Sequence, residues 1–469
     1  MFELQDKNVL VIGLGVSGQA ACELLRFHGS KVVGLEVAET EDSGEPKIEG
    51  RSADLKSVSE VNGLSPGDFN LVVVSPELPA NSPLMNEVLQ LGLPIISELE
   101  LGSQQTSCLS IAIAGTNGKD TTAEMIYRVL NNNHRKTLIA GGRSRPLCAV
   151  VEQTKQLDHL ILRADSFQLE HTEFFRPTVA VLLNLAPDQL GHYRTAEDYA
   201  RANARVFRNQ QVFDWAIIQN EALAQLRQLQ VEVPAKIITF SATDSTADLY
   251  LDRGLIISRL PTWSGPLLDM DHCQLRGPHN AENLMAALAV GHVLRLPLEN
   301  IIDPIKTCTA GPHRFELVAE INGVQFINDS KATNLDALQK ALLATRPGPT
   351  GEANVWLIAG GRDKGLGFHD VGPLLSKRVK RAFLIGEASE HIRAAWSLFT
   401  PCTTSHSLLE AVAEAAKAAA SGDVVLLSPA CSSFDKFRNY VQRGEVFCSA
   451  VKSIGRGVQA ANPYMNGNS

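Results

Sequence analysis

At 469 residues the chain is too long for one compact core and fits about three domains of roughly 100 to 200 residues each. A hydrophobic fraction of 44% with 20% charged residues is that of an ordinary folded protein and leaves no room for long disordered tracts. A net charge of −8 gives no general attraction to nucleic acid or anionic lipid, so neither is expected as a partner.

From the amino terminus, Met1 to Lys7 shows no basic segment followed by an apolar run, and no later stretch approaches the roughly 20 apolar residues of a membrane span. A cytoplasmic protein is expected, with no membrane contact. Asn8 to Gly13 is an apolar run with the spacing of a buried strand, and Gly13-x-Gly15-x-x-Gly18 leads into a helix-like Gln19 to Phe27. The strand Lys31 to Leu35 ends at Glu36, placed where Rossmann folds turn an acidic residue toward a ribose. The glycine motif alone also fits a dinucleotide oxidoreductase, but nothing beyond the first 36 residues supports nicotinamide chemistry. Leu71 to Val74, followed by Ser75-Pro76, and then Pro94 to Ile96 complete a Rossmann-like first domain, 1–105.

A second domain, 106–305, opens with the strand Leu109 to Ala114, the loop Gly115-Thr116-Asn117-Gly118-Lys119 and the helix Thr121 to Asn131. Strand, glycine loop and helix in that order form a phosphate loop, whose backbone N–H groups cradle phosphate while Lys119 adds a positive charge. Strands near Leu160 to Leu162, Val179 to Leu185 and Ala216 to Gln219, with a helix over Ala196 to Arg208, predict a parallel α/β domain resembling P-loop ATPases. The third domain, 306–469, begins after Ala310-Gly311-Pro312. Its strands at Gln325 to Asn328, Val355 to Ala359, Ala382 to Ile385 and Val424 to Leu427 give a second Rossmann-like sheet. The eight cysteines are scattered, with no C-x-x-C pair, and are expected to be reduced.

The phosphate loop, Ser166-Phe167-Gln168-Leu169-Glu170, Gly277-x-His279-Asn280-x-x-Asn283, His313-Arg314-Phe315-Glu316, Asn328-Asp329-Ser330-Lys331-Ala332-Thr333-Asn334, Gly360-Gly361-Arg362-Asp363-Lys364-Gly365 and Ser428-Pro429-Ala430-Cys431-Ser432-Ser433-Phe434-Asp435 together resemble the Mur ligase family. The carboxy-terminal strings most resemble those of its D-glutamate-adding members. The resemblance implies an ATP-dependent ligase of peptidoglycan precursor synthesis, a monomer that acts on small-molecule substrates and has no nucleic-acid or membrane partner. ATP would phosphorylate the carboxylate of UDP-N-acetylmuramoyl-L-alanine, and the amine of D-glutamate would attack the acyl phosphate. It assigns Gly115, Thr116, Asn117, Gly118, Lys119, Thr121, Asn283, Arg314 and Asp329 to ATP, with Lys119 and Asp188 in catalysis. Thr333, Lys364, Ser433 and Phe437 fall to D-glutamate, and Gly13, Gly15, Gly18, Glu36 and Ser75 to the UDP substrate. Two magnesium ions are expected for the family.

Several positions depart from that pattern. Where the family has Ser or Thr after the loop lysine, this chain has Asp120; where it has a glutamate before Ser-Phe-Gln, Arg163 lies in Leu162-Arg163-Ala164-Asp165. Gln189 follows Asp188 in place of a histidine, and Asn203 replaces a lysine that the family carbamylates to bridge to magnesium. Toward the muramoyl substrate, Glu77, Arg143, Ser144, Arg145, Gly191 and His192 also differ. Loss of four metal-ligand positions predicts weak or absent ligase activity. Two alternatives stay open: an active ligase using Asp120, Asp165 and Asp188 as substitute ligands, or a noncatalytic paralogue that acts by binding.

Overall fold

The computed structural model describes residues 3–35, 57–58, 66–75, 83–142, 145–186, 193, 195–309, 311–348, 351–363 and 367–461. Three sheets organise them. The first contains β1 (Asn8–Ile12), β2 (Lys31–Leu35), β3 (Ser57–Val58), β4 (Leu71–Val74) and β5 (Ile95–Ser97), in the order β3-β2-β1-β4-β5. All its pairs are parallel, and β1 and β4 are buried almost throughout, which is why they read as continuous apolar runs.

The second sheet has nine strands: β6 (Leu109–Ala114), β7 (Thr137–Gly141), β8 (His159–Arg163), β9 (Val179–Leu182), β10 (Trp215–Gln219), β11 (Lys236–Ser241), β12 (Leu249–Asp252), β13 (Leu255–Ser258) and β14 (Gly265–Asp269). Their order is β14-β13-β12-β11-β10-β9-β6-β8-β7. The sequence predicts a parallel domain, but β12, β13 and β14 pair antiparallel. Arg253 (φ +47°) and Gly254 (φ +87°) form the two-residue turn between β12 and β13, and two positive φ values in a row give the tight reversal that a parallel crossover cannot make. The helix expected over Ala196 to Arg208 is α-helical over Ala196–Ala204 and tightens to a 3-10 turn over Arg205–Phe207.

The third sheet contains β15 (Glu316–Ile321), β16 (Val324–Asn328), β17 (Val355–Gly360), β18 (Val379–Ile385), β19 (Cys402–Thr404) and β20 (Val424–Leu427), ordered β15-β16-β20-β17-β18-β19. β15 joins β16 antiparallel across Asn322 (φ +52°) and Gly323 (φ +76°).

The chain divides into two compact units, with Thr309 the last residue of the first. The first unit holds the first two sheets. The helix Glu98–Gln105 links them, since Leu101 packs into the core of the first sheet and Leu99 into that of the second. The second unit holds the third sheet, with apolar clusters that include Leu357 and Trp396 in one and Phe383 and Phe447 in the other. Among the described residues no helix is long and apolar enough to cross a membrane.

Candidate nucleotide and substrate sites

β6 lies between β8 and β9, so its carboxyl end opens inside the second sheet rather than at an edge. There the chain turns through Gly115 (φ +121°) and Gly118 (φ +95°) into the helix Lys119–Asn132. Both glycines are required by space as well as conformation. A Cβ at Gly115 would stand 2.9 Å from the Asn184 carbonyl oxygen, and one at Gly118 would stand 2.3 Å from Asn283 Oδ1. Asn184 braces the loop by accepting from Asn117 N at 2.9 Å and donating to Asn117 O at 2.9 Å. Tyr199 donates its hydroxyl to Thr116 Oγ1 at 3.0 Å. Asn283 accepts from Thr122 Oγ1 at 3.2 Å and donates to Asn280 Oδ1 at 3.3 Å. Thr121 is half-buried in the first turn of the same helix.

The charges around this loop are paired internally. Lys119 Nζ donates to Gly115 O at 2.6 Å and lies 3.2 Å from Asp165 Oδ1. Burial pulls its pKa down, but Asp165, Tyr199 and Asp120 outweigh that and hold it above the ordinary lysine value. Arg163, at the end of β8, donates from Nη1 to Asp120 Oδ1 at 2.8 Å and from Nη2 to Gly141 O at 2.6 Å. Asn203 accepts from Gly115 N at 3.2 Å and donates to Tyr199 O at 2.9 Å. Asp188 and Gln189 lie outside the described residues.

These residues do not fit magnesium. The Asp120 carboxylate already faces a guanidinium and the Asp165 carboxylate an ammonium. Asn203 spends its amide oxygen on the loop. A divalent ion about 5 Å from Arg163 would meet a repulsion on the order of 5 kcal/mol at intermediate dielectric. Among the described residues no group of three or more His, Cys, Asp or Glu side chains is arranged to hold a metal.

Behind this site Glu98 is fully buried between the two sheets of the first unit and accepts from Cys148 N at 2.6 Å and Gln168 Nε2 at 3.4 Å. Burial pushes its carboxyl up to about 7. Neighbouring Glu100, also buried, accepts from three successive backbone N–H groups, those of Glu173, Phe174 and Phe175. Neither glutamate was singled out by sequence, because a charged pair flanking an apolar residue also describes an exposed helix.

At the end of the first sheet, Gly13 (φ +83°) and Gly18 let the motif fold against β4. A Cβ at Gly13 would lie 2.7 Å from Ser75 Cβ, and one at Gly18 would lie 1.8 Å from Gly13 O. Gly15 caps the helix Val16–Phe27. The hydroxyls of Ser75 and of Ser17, which sequence reasoning missed, are buried there and have no hydrogen-bond partner among the described residues. Glu36, Glu77, Arg143, Ser144, Gly191 and His192 lie outside the described residues, and Arg145 is exposed.

In the second unit Asp329 is half-buried, accepting from Ser428 Oγ at 2.9 Å and Phe315 N at 3.1 Å. Burial raises its carboxyl to about 7, against the lowering influence of those bonds and of Arg314. His313 (φ +63°) and Phe315 (φ +46°) flank Arg314 in left-handed backbone, strain of the kind concentrated at functional segments. Arg443, which sequence also missed, is fully buried and donates to Ser330 Oγ, Ser330 O and Cys431 O. Burial lowers its pKa to about 10. Its bonds tie the strings that hold Thr333 and Ser433 to the helix Tyr440–Ala461. Ser433 is buried, Thr333 is half-buried, and the Phe437 ring packs against the core. Lys364 lies outside the described residues.

Residues 113–291 match the Mur ligase middle domain, and residues 313–431 match the Mur ligase glutamate ligase domain. The UDP-N-acetylmuramoylalanine–D-glutamate ligase of Acidobacterium capsulatum is 36% identical over 461 residues, covering 96% of this chain and 97% of its own. The chain belongs to the Mur ligase family. The enzyme of the same name from Geobacter metallireducens is 33% identical over 458 residues, covering 97% and 99% of the two chains. Among solved Mur ligases, the MurF ligase of Thermotoga maritima in complex with ADP aligns with a TM-score of 0.60 at 17% identity, over 96% of each chain. The UDP-N-acetylmuramate-alanine ligase of the same organism aligns with a TM-score of 0.59 at 17% identity, over 96% of this chain and 100% of that one. At such identities the structures show a shared fold. The full-length relatives agree with the carboxy-terminal strings in pointing to the D-glutamate-adding branch.

Proposed function

We infer that this Mur ligase retains the binding architecture of the D-glutamate-adding branch, in three domains over 1–105, 106–305 and 306–469, with weak or absent ligase activity. The observation that carries this reading is the double pairing at the phosphate loop, Arg163 with Asp120 and Lys119 with Asp165. A ligase of this type must gather negative charge from ATP and a carboxylate around fixed cations. Here each loop cation is matched by a carboxylate of the chain itself.

In this reading the loop Gly115 to Lys119 with Thr121 holds nucleotide phosphates and Asn283 faces the base, and Arg314 and Asp329 keep the nucleotide role that the resemblance gives them. Ser17 and Ser75 offer hydroxyls to the UDP substrate beside Gly13, Gly15 and Gly18, with Glu36 toward its ribose. Thr333, Lys364 and Ser433 fix the carboxylates of D-glutamate, while Phe437 supports the wall behind them. Lys119 holds a proton throughout and acts as a fixed charge, not a base. Asp188 alone is left to assist catalysis.

The alternative of a working ligase with Asp120, Asp165 and Asp188 as metal ligands requires Arg163 and Lys119 to release two of the three carboxylates. Phosphate release from ATP, with UDP-N-acetylmuramoyl-L-alanine, D-glutamate and magnesium present, separates the readings when run beside the Acidobacterium capsulatum relative. Turnover at least about a hundredfold below that of the relative is expected, equivalent to roughly 3 kcal/mol of lost transition-state stabilisation. Equal turnover would favour the substitute-ligand reading.

A further inference from the structure

The phosphate loop carries a second fixed cation at the place where phosphate-loop proteins usually recruit a metal. In those proteins the residue after the loop lysine offers a hydroxyl to magnesium. Here that residue is Asp120, and its carboxylate meets Arg163 Nη1 at 2.8 Å. The guanidinium is also anchored by the Gly141 carbonyl at 2.6 Å, and a Cβ on Gly142 would lie 3.6 Å from Arg163 Nη2. Backbone on β7 therefore fixes its position independently of Asp120. It is held against the first turn of the helix Lys119–Asn132, where N–H groups and the helix dipole favour an anion. A planar guanidinium is well suited to phosphate, which it can grip through two N–H groups at once.

We propose that this loop binds nucleoside di- or triphosphate free of divalent cation, with Arg163 and Lys119 supplying the positive charge and Asp120 acting as an internal competitor that phosphate displaces. The inference rests on the reading of the loop as a nucleotide site. Phosphate carries more negative charge than the carboxylate it displaces, and Arg163 keeps its Gly141 anchor during the exchange. Magnesium bound to the nucleotide would bring like charge toward Arg163, so it weakens binding or leaves it unchanged.

Calorimetric titration of the full chain with ADP, once in EDTA and once in excess magnesium, tests this directly. Affinity in EDTA equal to or greater than that in magnesium is expected. Asp120→Ala tightens metal-free binding by about threefold or more, and Arg163→Met weakens it by about tenfold. The gain in Asp120→Ala guards against misfolding, which cannot raise affinity. Binding that appears only with magnesium, or an Asp120→Ala variant no tighter than its parent, overturns the proposal and leaves the nucleotide reading standing. No heat in either buffer, together with no displacement of a fluorescent ADP analogue, overturns both.

Discussion

Asn203 shows how one side chain becomes part of an altered site. Its amide both accepts from Gly115 N and donates to Tyr199 O, a division of labour that lysine cannot copy because an ammonium has no acceptor. Asn203→Lys by itself should therefore destabilise the first unit by about 1–3 kcal/mol, the usual penalty for an orphaned buried N–H, measurable by urea denaturation. Glu98 makes a prediction with a definite sign. Its folded pKa lies above the unfolded carboxylate value, so its stabilising contribution is complete below the unfolded pKa and is lost as pH rises through about 7. Going from about pH 5 to about pH 8, Glu98→Gln should gain on its parent in thermal stability, by an amount on the order of 2–3 kcal/mol. A constant difference between the two proteins across that range would contradict this. At this scale the sequence revealed residue types and departures, but not their partners. Asp120 and Arg163 stand 43 positions apart, and only the parallel pairing of β6 with β8 brings their ends together.

Elements with strong local signals were legible and those stabilised by pairing were not. The buried runs at β1, β4, β6 and β20 were read almost to the residue, because continuous apolar sequence flanked by turn residues has few other uses. The hairpin of β15 and β16 was missed on its first strand even though Asn322-Gly323 is a strong two-residue turn signal. β15 is a partly exposed edge strand whose pattern does not alternate cleanly. Gly323 also carries a steric constraint, since a Cβ would lie 2.3 Å from Ser421 Oγ. Gly323→Val should cost the second unit about 1–3 kcal/mol through a β-branched residue in left-handed backbone, and guanidinium denaturation would reveal it. Arg443→Met tests the anchor of the helix Tyr440–Ala461. With Ser330 and Cys431 carbonyls left unpaired in a buried site, a loss of about 3 kcal/mol or more is expected, and a near-neutral result would show that the helix is held by its apolar face alone.

For the whole molecule, composition and motif order conveyed a multidomain α/β protein and its family. The helix Glu299–Lys306 belongs with the first unit, which it joins through the buried Ile301 and Ile305. The antiparallel extension β12 to β14 escaped notice because its short strands carry no phosphate-loop or glycine-motif landmark. In the proposed function a few side chains around the loop, not a failure of the fold, set the activity. The most direct measurement is magnesium-dependent phosphate release by a variant combining Asp120→Ser, Arg163→Glu, Gln189→His and Asn203→Lys, with ATP, UDP-N-acetylmuramoyl-L-alanine and D-glutamate, beside the unmodified chain. Turnover by the variant at least about a hundredfold above that of the unmodified chain is the predicted result, while comparable turnover by the unmodified chain would contradict the account.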